Sequence, residues 1–292
     1  MPCLISQDFG IIGMRNLELT AEYKFPRMAR KHILIKLFRY RLAVRKLLGR
    51  IVAVKLPSLI KLEFPISRNF EAASEKYSQH NWAYIENIMD LSIHQQLLTS
   101  WPKTIHFIPN RNIYKSYDTG FGWKPTQSIE DVEHLSKYPI IEAFYTHLDS
   151  EDFCKRVTDI CGDGIERSRW ATSLTHANWG STVIPHIDTI PQDPYAGFVN
   201  LVFLIYGNTG PRSGGLSMYS GPHWSNLIFE PSNLNNTLMM YDTQEDLWHG
   251  FPPMRFGTRR YTINCQFSSK QWMAENLTAW LRGELPVKRF EK

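Results

Sequence analysis

Two histidines and an aspartate stand at a spacing that can grip a metal ion. His186-Ile187-Asp188 is followed 63 positions after His186 by His249, and then by the adjacent pair Arg259-Arg260. Two imidazoles and one carboxylate can occupy one face of a six-coordinate Fe(II), leaving open positions for a co-substrate and O2. Chemistry of that kind is oxidative.

The elements that must position these groups follow from the spacing. A His and an Asp separated by one residue point to the same side of an extended strand, because side chains there alternate with period two. The third ligand must then come from a distant strand. His249 fits, since the segment Arg260-Tyr-Thr-Ile-Asn-Cys-Gln-Phe267 after it has the alternation and β-branched or aromatic content of a strand. One face of that strand carries Arg260, Thr262, Asn264 and Gln266, and the other carries Tyr261, Ile263, Cys265 and Phe267. A polar face opposite an apolar one suits a cavity wall backed by packing.

The ordered set resembles the 2-oxoglutarate and Fe(II)-dependent oxygenases, in particular their prolyl-hydroxylase-like branch. It comprises His186-x-Asp188, the apolar run Phe198 to Tyr206, the pair Gly214-Gly215, Trp248-His249-Gly250 and Gly257 to Thr262, and it covers roughly Arg169 to Ser269. The resemblance implies a mostly β protein with flanking helices, an α+β chain around a double-stranded β-helix of the jelly-roll, cupin-like kind. It implies Fe(II) on His186, Asp188 and His249, with 2-oxoglutarate and O2 as co-substrates and hydroxylation of an unactivated C–H bond as the reaction. Arg260 and Thr262 match the family's positions for the distal carboxylate of 2-oxoglutarate, and a guanidinium suits that task because its planar fork donates two parallel hydrogen bonds. Counting onward from His249 favours Arg259 instead, but the strand register also places Arg260 on the polar face, so Arg260 is preferred and Arg259 stands as the alternative. Gln266 departs from the family, which often has Trp there. Halogenases of this superfamily replace the carboxylate ligand by a small residue, and Asp188 therefore favours hydroxylation. The aspartyl/asparaginyl β-hydroxylase-like branch has similar segments, so a protein side chain remains an alternative substrate to a small molecule such as an amino acid or derivative. A cupin-like metal-binding or basic interaction protein without oxygenase activity is the other alternative, and it gives no reason for a guanidinium and a hydroxyl on the inner face of the last strand.

His176, His223 and His147 compete as metal ligands, each against an ordinary role as a hydrogen-bonded structural histidine. The sequence has no GxSxG elbow, no Walker-type phosphate loop and no HExxH. With 43% hydrophobic and 13% aromatic residues among 292, it can bury a sizeable core. Cys3, Cys154, Cys161 and Cys265 show no CxxC pairing, and the beginning lacks a charged-then-apolar signal segment. A reducing, cytoplasmic setting is expected, and no apolar run reaches the length of a transmembrane segment.

The domain organisation expected is a basic, helix-rich extension over 1–80 and an oxygenase domain over 81–292, its β core at about 169–269. From Arg27 to Lys55 there are ten Lys or Arg and no acid, interleaved with apolar residues. This predicts one or two amphipathic helices, either packed with a solvated basic face or offering a surface to an anionic partner. Between Asn81 and Asp163 the pattern predicts helices broken by loops. Helices are expected at Ile140 to Leu148 and Ser150 to Cys161, with a capped start at Ser128, and the aromatic, glycine-rich run 117–123 reads as a substrate lid or a packed loop. Lys270 to Arg282 is an amphipathic helix expected to dock on its own chain. Candidate pocket residues on loops near the metal are Trp179, Thr189, Asp193, Tyr195, Tyr219, His223 and Trp248. The oligomeric state is not legible in the sequence.

Overall fold

The structure, a computed structural model, describes residues 70, 72–103, 106–111, 115–123, 132, 135–188, 196–243, 246–282 and 284. The basic stretch Arg27 to Lys55, the expected cap at Ser128, and Thr189, Asp193 and Tyr195 lie outside them.

Among the described residues eleven strands form one curled antiparallel sheet: β1 (Trp82–Glu86), β2 (Ile108–Arg111), β3 (Lys115–Trp123), β4 (Arg167–Asn178), β5 (Thr182–His186), β6 (Val199–Gly207), β7 (Ser217–Tyr219), β8 (Leu227–Phe229), β9 (Thr237–Asp242), β10 (Trp248–Phe251) and β11 (Arg259–Ser269). Their order is β1-β9-β6-β11-β4-β3-β5-β10-β7-β8, with β2 pairing to β3. The first strands of this path make a large sheet and β5-β10-β7-β8 a smaller one. Among the described residues five α-helices accompany them: α1 (Ala73–His80), α2 (Leu91–Thr99), α3 (Pro139–Leu148), α4 (Glu151–Cys161) and α5 (Lys270–Leu281).

β6 explains how the large sheet can be covered on both faces. Its alternate residues Leu201, Phe203 and Ile205 join the core cluster that includes Phe144 of α3 and Phe153 of α4. Val202 and Leu204, pointing the other way, pack with Leu216, Met218 and Met239 inside the barrel. A strand with two apolar faces is what burial between a helical layer and a second sheet requires. The helix boundaries have local causes. Pro139 opens α3 at a position where a missing N–H costs nothing. Ser150 caps α4, its hydroxyl accepting from the Phe153 N–H at 3.2 Å, and Gly162 at φ 69° ends it. Both helices lie where the sequence predicts them. α5 also docks on its own chain, with Trp272 buried against Trp170 and Phe198.

Two expectations need correction. The region Asn81 to Asp163 holds β1, β2 and β3 as well as helices. The run 117–123 is a strand, neither lid nor loop: β3 pairs with β4 and β5. Its glycines read as loop punctuation, but Gly120 serves a close approach, since a Cβ there would lie 2.9 Å from the His106 carbonyl oxygen. Among the described residues no helix is long and apolar enough to cross a membrane, and Cys154, Cys161 and Cys265 are free thiols.

Candidate metal and co-substrate site

The two histidines meet because β5 and β10 are neighbours in register, with His186 and His249 as Cα partners. Their ring centroids lie 4.4 Å apart. Gly250 makes this approach possible: a Cβ there would sit 2.3 Å from the Val183 carbonyl oxygen on β5. β5 ends at His186, and two residues on, Asp188 turns its carboxylate to both rings, at 3.6 Å from each Nε2. One ligand atom from each of the three lies within 4.8 Å of the others, and among the described residues these form the one such group of His, Cys, Asp or Glu.

The tautomers suit a metal. His186 Nδ1 lies 2.9 Å from the Ile184 carbonyl oxygen and 3.1 Å from that of His249, and His249 Nδ1 lies 3.1 Å from that of Leu247. Carbonyl oxygens only accept, so each Nδ1 carries a proton and each Nε2 is turned toward Asp188. Two imidazole Nε2 atoms and a carboxylate then face one point, a donor set that fits a divalent cation. Burial pushes His249 down to about 4, against the opposing Asp188 carboxylate. Burial would raise Asp188, but the His249, His186 and Lys115 groups around it hold its carboxyl well below the usual carboxylate range.

Three further residues hold the aspartate. Asn200 Nδ2 donates to Asp188 Oδ2 at 2.6 Å and to the Tyr241 hydroxyl at 2.9 Å, and Tyr241 donates to the same oxygen at 3.5 Å. Lys115 Nζ lies 3.9 Å from Oδ1. The Tyr241 ring also packs on His249, at 4.6 Å between centroids. Sequence reasoning missed all three. Asn200 had a legible signal as a polar residue inside the apolar run of β6, whereas Lys115 and Tyr241 come from strands that give no hint of the metal site.

A cavity of about 610 Å³ opens over the triad and runs to Arg260. Arg260 is 3% exposed, its guanidinium carbon 4.3 Å from the centre of the Phe251 ring, two positions after His249. It donates to the Gly214 carbonyl oxygen, and its buried Nε has no hydrogen-bond partner among the described residues. Burial lowers it to about 10, so it stays charged at neutral pH. Arg259 points the other way and is exposed. Thr262 is fully buried, but its hydroxyl is engaged by Thr175 and donates to Asn264 Oδ1 at 3.2 Å, and it does not border the cavity.

The loop residues nominated from sequence fare differently. Trp179, Tyr219, His223 and Trp248 do not border the cavity. Its walls are strand residues instead, among them Tyr117, Trp123, Asn264 and Gln266. A barrel interior is lined by inward positions of its strands, so period two was the better guide than loop proximity. His176, His147 and His223 stand apart from the triad. The His176 ring packs against Tyr261 and Phe107, that of His147 against Phe153, and His223 is exposed.

Solved structures share this architecture. A prolyl-4-hydroxylase of Pseudomonas putida superposes with a TM-score of 0.51 at 16% identity, over 69% of this chain and 99% of its own. A prolyl hydroxylase of Trichoplax adhaerens, solved with a peptide fragment of the hypoxia inducible factor oxygen degradation domain, gives 0.53 at 14% identity over 71% and 94%. The fold is that of the prolyl-hydroxylase-like 2-oxoglutarate and Fe(II) oxygenases. No protein-family model and no curated protein matches the sequence.

Proposed function

We propose that the protein is a non-haem Fe(II) and 2-oxoglutarate-dependent dioxygenase that hydroxylates an unactivated C–H bond of a small molecule, an amino acid or derivative. The observation that carries the reading is the pairing of three converging metal-ligand atoms with a buried, carboxylate-free arginine in one cavity. Bound iron and 2-oxoglutarate supply the oxidant: 2-oxoglutarate and O2 leave as succinate and carbon dioxide, one oxygen atom entering succinate and the other the product.

The protein's residues position and insulate that chemistry. His186, Asp188 and His249 hold the metal on one side and leave its other side to the cavity. Carbonyls on Nδ1 of each histidine fix ring orientation, and Asn200 and Tyr241 fix the carboxylate. Arg260 takes the distal carboxylate of 2-oxoglutarate, its stack on Phe251 holding the fork against the barrel wall. Arg259, exposed, is not used. A cavity of about 610 Å³ is the size of a small-molecule site, typically ~300–1,000 Å³, which supports a small substrate.

The test is anaerobic titration of the Fe(II)-loaded protein with 2-oxoglutarate, following the visible metal-to-ligand charge-transfer band. The wild type develops the band, Asp188→Ala loses it with the metal, and Arg260→Ala needs far more co-substrate. Folded, iron-loaded wild type without a band overturns the oxygenase reading in favour of a metal-binding protein of the same fold.

A further inference from the structure

Trp179 and Phe256 are 66% and 84% exposed, and neither borders the cavity. Trp179 lies in the turn between β4 and β5, and Phe256 in the hairpin loop between β10 and β11. The two rings meet edge to face, their centroids 5.6 Å apart and their planes at 75°. The loops that carry them are tied together. The Gly180 N–H donates to the Met254 carbonyl oxygen at 3.1 Å, and the Met254 N–H donates to that of Ser181 at 2.9 Å. The loop between β6 and β7 joins them through the Arg255 N–H, which donates to the Arg212 carbonyl oxygen at 3.1 Å. Single exposed apolar side chains are ordinary on a protein surface, but two aromatics held against each other on a fixed backbone form a patch with its ordering cost already met.

The charge on these loops has one sign. Arg212, Arg255 and Arg259 are all exposed, and residues 178–181, 208–216 and 252–259 include no Asp or Glu. Two of the guanidiniums are held in place from one side. Arg212 Nε donates to the Pro253 carbonyl oxygen at 3.0 Å, and Arg255 Nη2 donates to that of Thr209 at 3.2 Å. A guanidinium has further N–H groups beyond the one used, so each can still meet an anion. The patch lies at the far end of the barrel from the metal ligands: β5 starts beside the Trp179 turn and ends at His186, and β10 starts beside His249 and runs toward the Phe256 loop. A partner docked there leaves the triad end of the cavity uncovered.

We infer that this end of the barrel docks on an anionic lipid surface, with Trp179 and Phe256 entering the headgroup region and the arginines meeting lipid phosphates. Indole and phenyl rings favour that interface, and cations beside them are drawn to acidic headgroups. A ring 84% exposed at a hairpin tip is a projection, which suits a soft interface better than a partner that needs a groove. Edge-to-face contact between the two rings also takes up one ring face, so the pair is not a platform for successive stacked bases. The stretch Arg27 to Lys55, with ten Lys or Arg interleaved with apolar residues, has the same chemistry in its sequence, and stable attachment to a membrane surface takes two such signals.

The experiment is co-sedimentation of the full chain with vesicles of phosphatidylcholine alone and of phosphatidylcholine with about one third phosphatidylserine. The wild type is expected to bind the anionic vesicles about tenfold or more tighter than the neutral ones, and to release them as salt rises from about 0.1 to 0.5 M. Trp179→Ala combined with Phe256→Ala is expected to weaken anionic-vesicle binding about tenfold while leaving the melting temperature unchanged, since both side chains are exposed. Arg212→Gln combined with Arg255→Gln should weaken it similarly, and Arg212→Lys with Arg255→Lys should restore it, because lysine keeps the charge and loses the hydrogen bonds within the loops. Anionic vesicles bound equally by the wild type and by both loop variants would place the lipid contact on the basic stretch alone and overturn the inference, as would a wild type that binds neither vesicle. An oligothymidylate bound more tightly than the vesicles, and lost in the same variants, overturns it in favour of a nucleic-acid partner.

Discussion

Arg169 and Arg260 stand on the adjacent strands β4 and β11, are 1% and 3% exposed, and each lay a guanidinium over an aromatic ring, Trp123 at 3.7 Å and Phe251 at 4.3 Å. One difference separates them. Arg169 Nη2 has Asp149 Oδ2 at 3.2 Å, an ion pair without hydrogen-bond geometry that closes on the helical side. Arg260 has a backbone carbonyl and an open cavity, but no carboxylate among the described residues. A buried charge without a counter-ion costs several kcal/mol, and a fold keeps one where a ligand will supply the missing charge. The lesson is that burial and stacking alone do not mark a binding arginine; the missing anion does.

The largest effect should come from exchanging these two for an uncharged side chain of similar length. Arg260→Met is expected to weaken 2-oxoglutarate binding by about 10² to 10³, the ~3–4 kcal/mol of a truncated charge pair, with a melting temperature equal to or above that of the wild type. Arg169→Met should do the reverse, lowering stability by about 1–3 kcal/mol through the lost pair and ring contact while leaving co-substrate affinity nearly unchanged. Calorimetric titration and thermal denaturation on both variants measure the contrast. If both lose stability and both keep 2-oxoglutarate, the distinction drawn between them is wrong.

A second break can be made on the site side alone. Gly250→Ala inserts a methyl group where the Val183 carbonyl oxygen would be 2.3 Å away, a clash with backbone rather than with a side chain that can swing aside. β10 must move off β5, and the His186–His249 pair opens. We expect a loss of about 3 kcal/mol in stability and a collapse of metal affinity together. The helical side around Arg169 should keep its hydrogen-exchange protection, and its loss there would show that the two regions are not separable.

Asn200→Ala sharpens the comparison more gently. It removes the 2.6 Å hydrogen bond to Asp188 Oδ2 and the bond to Tyr241 without touching a proposed ligand. Supporting partners of this kind are worth about 10- to 100-fold in metal affinity. A metal-chelator competition assay reads the loss, and an unchanged affinity would mean that Tyr241 alone suffices to hold the carboxylate.

How far the sequence could take this site depends on which residues carry a period. His186, Asp188 and His249 were legible as an ordered motif, although β5 ends at His186 and Asp188 reaches the site from just beyond that strand, and the alternation from Arg260 to Gln266 marked a cavity wall because a strand sends residues two apart to one side. It also put Arg260 on the polar face, whereas the exposure of Arg259 became visible only in the structure. Lys115 and Tyr241 were not legible, and the signal of Asn200, a polar residue inside an apolar run, did not say what it touches, since each reaches Asp188 from a different strand and only the order of strands in the sheet brings them together. β3 was misread because Gly120 and Gly122 look like loop residues when the close approach of the His106 carbonyl is not visible. The helices flanking the barrel announced themselves through Pro139, Ser150 and Gly162, local signals that need no tertiary context.

The smallest effect belongs to the helical side and tests whether titration there is independent of the metal site. His147 on α3 is desolvated against Phe153 and lies near the Arg156 cation, and burial with that repulsion lowers it from 6.5 to about 4. Its folded value is depressed, so as pH falls from 6.5 the unfolded chain takes up the proton first. The stability it contributes is therefore complete above pH 6.5, declines between 6.5 and 4, and is gone below. His147→Gln should remove that component: the stability difference between wild type and variant, measured by urea denaturation of the metal-free protein, shifts against the wild type by about 1 kcal/mol across this window once solvent screening is allowed for. His249, lowered to a similar value on the site side, titrates over the same pH range in both proteins and cancels in the difference. A difference that stays flat from pH 7 to 4 would mean that His147 is protonated in the folded state, and that the helical layer is wetter than its packing implies.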